Sequence, residues 1–295
     1  MHRITHRWAM GIAAVALICG AAGVLRAQQN LTTAMVAPNL YVIEGGGGNT
    51  AFLVTDEGVL AVDTKLANFG DRILAEIRKV TDKPILYVVN THVHGDHLGS
   101  NDSFPLPTTL IAQDNVRERL MAMNGPAAKA PRITYRRRSS IYLGGQRVDL
   151  HYVGRGHTDG DTIVHFTNLR IAHMGDLFIP RSSPFVDARS GGSALAFPQT
   201  LTRAAAIEGV ETYIPGHAAR TATPAQLQDV IGLHRDMRTV VDEAVKAGKP
   251  AEGLEKDPRL AKYADWGSPE RLVANLGVLH GELREAAREN DANAN

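Results

Sequence analysis

The segment His92-Val93-His94-Gly95-Asp96-His97 brings three imidazoles and a carboxylate, all metal-ligand types, into six residues. It follows the apolar run Ile85 to Asn90, which has the length and composition of a buried strand, so the cluster is expected where that strand gives way to a loop. Loops at strand ends are where rigid scaffolds present chemistry. In a chain leaving a strand, residues two apart point the same way, which lets His92 and His94 reach one metal ion. Asp96 and His97 follow the flexible Gly95 and can turn toward a second position. Zinc takes imidazole nitrogen and carboxylate oxygen, and a catalytic zinc keeps one position for water. The cluster alone leaves both shells incomplete. Candidates to complete them stand at other strand ends: His157 in Gly156-His157-Thr158-Asp159-Gly160-Asp161, Asp176 in Met174-Gly175-Asp176, and His217 in Pro215-Gly216-His217.

The elements that must position these residues follow from hydrophobic periodicity and turn residues. Leu40 to Ile43, Ala51 to Val54 and Val59 to Val62 read as strands joined by Gly45-Gly46-Gly47-Gly48-Asn49 and by Asp56-Glu57-Gly58, an antiparallel start. Ile73, Leu74, Ile77 and Val80 recur at helical spacing before the buried strand. After the cluster come a strand from Thr108 to Ala112, a helix from Asn115 to Met123 and a loop with Pro and Gly. Strands resume at Ile141 to Leu143 and Val148 to Val153, and Thr162 to Phe166 with Arg170 to Met174 form a hairpin around Asn168. A Pro-, Ser- and Gly-rich loop from Pro180 to Ser193 leads into a helix to about Glu208 and the strand Thr212 to Ile214. Thr223-Pro224 starts a helix through about Lys246, and Ser268-Pro269-Glu270 starts another toward the C-terminus. Strands alternating with helices, with hairpins mixed in, imply an α/β layered sandwich.

The order His-X-His-X-Asp-His, Gly-His-Thr, Gly-Asp, Pro-Gly-His resembles the metallo-β-lactamase superfamily across most of the chain. The resemblance implies an αββα four-layer sandwich with a dinuclear metal site at one edge of its two sheets. It assigns His92, His94 and His157 to a first metal, Asp96, His97 and His217 to a second, and Asp176 to a bridge. Asp63, ending the third strand, resembles a superfamily aspartate that sits behind the metals, where it can accept from a ligand's second ring nitrogen. The implied cofactors are two divalent ions, zinc first, with iron and manganese also compatible with such ligands. Metal coordination lowers the pKa of water from about 15.7 to around 7, so the expected reaction is attack of a metal-bound hydroxide on a carbonyl, with Asp96 orienting it or passing a proton to the leaving group. His151, His165 and His173 match no ligand position and are read as structural or exposed. His234 and His280 fall in helices.

Composition narrows the partners. The chain has 295 residues, 44% hydrophobic and 21% charged, with net charge +1. That balance argues against a general nucleic-acid binder and leaves a small molecule as the expected partner. Arg136-Arg137-Arg138 is the one basic cluster and reads as a solvated surface loop. Arg3 and Arg7, the apolar stretch Met10 to Val24 and Leu25-Arg26-Ala27 read as a signal peptide over residues 1–27, leaving residues 28–295 as one periplasmic or secreted domain. The apolar stretch is shorter than the roughly 20 residues that span a bilayer, and no later segment reaches that length, so no membrane attachment is expected once the signal is removed. Cys19 is the only cysteine and lies in the signal, so the mature chain is expected to hold no disulfide, thiolate ligand or cysteine nucleophile. Leu17-Ile18 replaces the small residues expected before a lipidated cysteine.

Departures from the resembled enzymes bear on substrate. Well-known lactamases of the superfamily place a cysteine where Asp176 stands and a lysine three residues on, where this chain has Ile179. An aspartate bridge is similar to that of glyoxalase II, acyl-homoserine lactonases and assorted exported hydrolases. Gly160-Asp161, Asp187, Ser190-Gly191-Gly192-Ser193 and Tyr263-Ala264-Asp265-Trp266-Gly267 resemble an exported, cyclase-like group of metallo-hydrolases. Arg181 is the nearest cation after Asp176 and is the expected contact for a substrate carboxylate. The leading expectation is an exported dizinc hydrolase of an ester, lactone, thioester or amide. β-Lactam hydrolysis is the alternative, and a metal-binding accessory protein of a periplasmic redox pathway is a third reading.

Overall fold

The computed structural model describes residues 30–123 and 127–294. The expected signal peptide, Cys19 and the cleavage point before Gln28 lie outside the described residues, as does part of the loop after Met123.

Short runs of β-branched and aromatic residues, broken by glycine turns, build the first sheet. β1 (Thr32–Ala37), β2 (Leu40–Glu44), β3 (Thr50–Val54) and β4 (Val59–Val62) pair antiparallel in succession. α1 (Gly70–Arg78) then crosses over, so β5 (Ile85–Val89) joins β4 in parallel, followed in parallel by β6 (Thr109–Gln113) and β7 (Ile133–Tyr135). The second sheet holds β8 (Arg138–Leu143), β9 (Gln146–His151), β10 (Ile163–Phe166) and β11 (Ile171–His173) as an antiparallel run. α4 (Phe197–Ala205) lies in the connection that brings β12 (Thr212–Ile214) parallel to β11. Two short helices interrupt the first half, α2 (Gly95–Leu98) and α3 (Asp114–Ala122). The C-terminal part is α5 (Pro224–Lys246) and α6 (Pro269–Ala294).

The period of two along each strand sorts side chains into layers. Val42, Leu53, Leu60 and Val89 of the first sheet meet Val148, Leu150, Val164 and Phe166 of the second. The outer face of the first sheet offers Phe52, Ala61 and Val88 to Ile73, Leu74 and Ile77 of α1. On the far side, Ile163, Ala172 and Tyr213 pack against Phe197, Leu201, Leu227, Val230 and Leu276 of α4, α5 and α6. Helix, sheet, sheet and helix therefore stack as the expected αββα sandwich. The Thr223-Pro224 start of α5 carries a full capping box, with Gln226 bonding back to Thr223.

Two features differ from the sequence expectations. β1 and β7 are strands that apolar content does not announce, because β1 has no fully buried residue and β7 has one. Arg136 to Arg138 is not wholly a loop: Arg138 opens β8, paired with His151, and backbone pairing rather than apolar side chains defines that polar half-strand. His151 and His165, read as structural or exposed, are buried on the outer face of the second sheet. His173, also buried, bonds the Asn49 carbonyl at 3.1 Å, in line with a structural histidine.

His234 in α5 is 2% exposed, stacks on Phe197 at 4.4 Å between centroids, and is pushed by burial down to about 3. The unfolded chain takes up a proton there near 6.5 while the folded chain does not, so stability falls as pH drops from 6.5 toward 3. His234→Phe should flatten this acid limb by up to about 4 kcal/mol, read from urea unfolding at pH 4 and pH 7. An unchanged pH slope would count against the assignment.

Candidate metal centre

All the predicted ligands arrive at one edge of the two sheets. Chain leaving β5 delivers Asn90, Thr91 and His92, and Asn90 exchanges side-chain hydrogen bonds with Asn101 at 2.8 and 3.0 Å, pinning the segment. The cluster itself is not simply a loop. His94 is the extended residue that starts α2, whose single turn closes with His97 N and Leu98 N donating to His94 O at 3.0 and 3.1 Å. That turn swings His97 back under the sheet, where it is fully buried. Chains leaving β9, β11 and β12 bring His157, Asp176 and His217 to the same edge.

The donors fall into two facing groups. His92, His94 and His157 converge with ligand atoms within 4.8 Å of one another, as do Asp96, His97 and His217. In the first group His94 Nδ1 lies 2.8 Å from His157 Nε2. In the second, His217 Nε2 lies 3.3 Å from both His97 Nε2 and Asp96 Oδ2. Asp176 sits between: Oδ1 is 3.2 Å from His97 and 3.3 Å from His217, and Oδ2 is 3.8 Å from His157.

Hydrogen bonds behind the rings fix which nitrogen faces inward. Asp63 Oδ1 accepts from Thr91 N at 2.7 Å, and its Oδ2 accepts from Thr91 Oγ1 at 2.7 Å and from His97 Nδ1 at 2.6 Å. Because the Thr91 hydroxyl donates to Asp63, it accepts from His92 Nδ1 at 3.0 Å. His157 Nδ1 donates to the Phe185 carbonyl, and His94 Nε2 to Asp187 Oδ2 at 2.8 Å. His92, His94 and His157 therefore turn a lone pair toward the centre, and His92 Nε2 is buried with no hydrogen-bond partner. Lone pairs facing each other at these separations repel unless a cation stands among them, so the donor set fits a metal centre.

Charge divides the two groups: against its burial, the carboxylates Asp176 and Asp63 hold His97 protonated well above the usual histidine range, whereas His92 and His157 of the first group stay neutral. Burial drives His92 well below its usual range and His157 down to about 4, leaving both as neutral ligands. Burial would raise Asp96, but the His217 hydrogen bond and the His97 charge outweigh it and hold Asp96 near 2. Asp176 is likewise kept well below the carboxylate range, against its burial, by His97 and His217. Burial opposes protonation of His217, yet Asp176 and Asp96 lift it to about 9.

Arg181 lines the adjoining cavity, but its guanidinium is engaged by Asp265 and lies 5.8 Å from the centre of the Trp266 ring. Arg271, which the sequence reading did not single out, lines the same cavity and has no ion-pair partner among the described residues. Asp187 was legible only as part of a resemblance; its contact with His94 spans 93 positions. Lys65 gave no signal at all. It is fully buried with Nζ 2.8 Å from the carbonyls of Ile43 and Gly48, and burial lowers it to about 7. Its bonds hold the glycine loop against His97.

An αββα sandwich with two facing histidine and carboxylate groups at its sheet edge defines a class of metal-binding hydrolase folds. The sequence profile of the metallo-beta-lactamase superfamily matches residues 43–217, and the chain belongs to that superfamily. It is 26% identical over 156 residues to the 2,4-dinitroanisole O-demethylase subunit alpha of Nocardioides sp. (strain JS1661), a match covering 50% of this chain and 47% of that one. The chain spans about half the length of the curated relatives it matches first. Among solved structures, a metallo-beta-lactamase from Pontibacter korlensis superposes with a TM-score of 0.61 at 16% identity, covering 70% of this chain and 99% of its own. A stereoselective inverting sec-alkylsulfatase from Pseudomonas sp. gives 0.73 at 14% identity, covering 90% and 52%. At those identities the likeness is one of fold.

Proposed function

We propose that this chain is a hydrolase of small carbonyl compounds, such as esters, lactones, thioesters or amides, that holds two divalent metal ions, zinc first. The carrying observation is Asp176, which turns one oxygen to each of two histidine groups. His92, His94 and His157 would hold one ion, Asp96, His97 and His217 the other, and Asp176 both. When bound, two such cations supply Lewis acidity toward a carbonyl oxygen and bring the pKa of water from about 15.7 toward 7.

The chain's own residues supply the rest. Asp63 and Asp187 orient His97 and His94 and fix their tautomers. Asp96, about one-third exposed, is ionised and borders the cavity, where it can take a proton and return it to a leaving group. The cavity of about 680 Å³ joins apolar Ile179 and Phe185 to the cations Arg181 and Arg271. That lining suits a substrate with an apolar body and one anionic group, with Arg271 the freer partner for it. Aspartate at 176 and isoleucine at 179 favour such substrates over β-lactams. The basic, then apolar N-terminus supports an exported protein.

A panel of aryl ester, lactone, thioester, nitrocefin and alkyl sulfate tests the reading on zinc-loaded protein. The expected result is turnover of an ester, lactone or thioester that chelation removes and zinc restores, with nitrocefin untouched. Nitrocefin or alkyl sulfate turnover alone would overturn the carbonyl reading in favour of a lactam or sulfate ester. Metal-loaded protein inert on the whole panel would favour an accessory role.

A further inference from the structure

We propose a separate metal site on the outer face of the second sheet, in which Asp149, His151 and His165 hold a first-row divalent transition ion by two imidazoles and one carboxylate. Strand periodicity builds it. Val148 and Leu150 of β9 and Val164 and Phe166 of β10 turn into the core between the sheets, so Asp149, His151 and His165 face the other way. His165 stands directly opposite Asp149 in the antiparallel register. Ile163, on the same face of β10, packs into the helix-covered core.

The three residues bring their ligand atoms within 4.8 Å of one another, and the two ring centroids are 6.1 Å apart. His151 is 7% exposed and His165 5%. Both ring nitrogens of His151 and Nε2 of His165 are shut off from water without a hydrogen-bond partner. Three orphaned nitrogens so close together in a sheet face are the sign of a ligand, because buried polar groups otherwise find partners. The hydrogen bonds Asp149 accepts, from Ser140 Oγ at 2.7 Å and Arg147 Nε at 2.8 Å, both fall on Oδ1, leaving Oδ2 for the ion. Burial holds His151 near 4, so the ring is unprotonated at neutral pH.

The donor chemistry selects the ion. Neutral imidazole with a single carboxylate suits zinc, nickel or copper, while magnesium and calcium take oxygen shells. Three protein ligands would leave positions open toward a cavity of about 1310 Å³ bordered by Arg137, Arg138, Arg147 and Arg203. These cations oppose a bare ion and favour one that carries an anion, such as a carboxylate or phosphate, as its further ligand. None of the three residues belongs to the centre at the sheet edge, so the site stands whether or not that centre is a hydrolase.

Zinc alone is the probe. Chelator-stripped full chain is titrated with zinc in equilibrium dialysis and metal is counted per chain, for the natural protein, His165→Gln and Asp149→Asn. The expected result is one fewer zinc in each variant, with zinc-dependent activity at the sheet edge retained. In the natural protein, zinc should also shift the ring nitrogen resonances of His151 and His165, a readout that needs no variant to fold. Equal zinc counts in all three proteins, with those resonances unmoved, would overturn the site.

Discussion

Asp176→Asn is expected to lower kcat/KM by roughly 10³-fold, because in the proposed two-metal centre several kcal/mol of charge stabilisation would rest on a bridging carboxylate. It should also leave the protein with one tightly held metal instead of two. The substitution is nearly isosteric, so packing in the 13% exposed side-chain position is kept. What changes is charge and donor type. The carboxylate turns Oδ1 to His97 and His217 and Oδ2 toward His157. An amide keeps one oxygen and replaces the other by an NH2 that cannot ligate, so one group loses its shared ligand whichever way the amide turns. The missing negative charge would also leave two bound cations to repel each other with less between them. Elemental analysis beside steady-state kinetics checks both parts. Two metals retained with activity within about tenfold of the natural protein, a difference of about 1.4 kcal/mol, would refute the bridge.

The candidate ligands were legible because metal chemistry restricts them to few residue types, and because His92, His157, Asp176 and His217 come after strands that the apolar period announces. Leaving β5, β9, β11 and β12, the chain can reach only one sheet edge, so His92, His157, Asp176 and His217 had to meet. Other parts were not legible, for physical reasons. β1 and the polar start of β8 owe their strand state to a neighbour's backbone, which no periodicity in Thr32 to Ala37 or in Arg138-Ser139-Ser140 records. Asp187 and Lys65 act through contacts 93 and 17 to 22 positions away, where local sequence carries no trace. Arg181, the expected contact for a substrate carboxylate, is instead engaged by Asp265, which arrives from 84 positions on. The same limit hid the burial of His151 and His165, whose strand pairing is a property of the fold.

Gly48→Ala should cost activity about 10²-fold, although residue 48 carries no ligand atom. A Cβ built there would lie 2.2 Å from His97 Cε1 and 2.5 Å from its Nε2. Neither side can give way cheaply. His97 is fully buried and held from behind by Asp63 at 2.6 Å. The loop is held by Gly48 N donating to Asp96 O at 2.9 Å and by Lys65 Nζ bonding the Gly48 carbonyl at 2.8 Å. The ring must therefore move by the better part of an ångström, and a displacement of about 1 Å at a reacting centre can cost about 10²-fold. The expected variant keeps its helical content and the metal of the His92, His94 and His157 group, loses the second metal, and drops by two orders in turnover. Gly95→Ala provides the contrast. Gly95 lies inside the histidine motif, where sequence suggested that its flexibility was needed, yet a Cβ there meets nothing within 4 Å and its φ is an ordinary one. That variant should keep both metals. If instead Gly95→Ala loses metal and Gly48→Ala does not, the centre is governed by backbone freedom in the motif rather than by the fit of the glycine loop against His97.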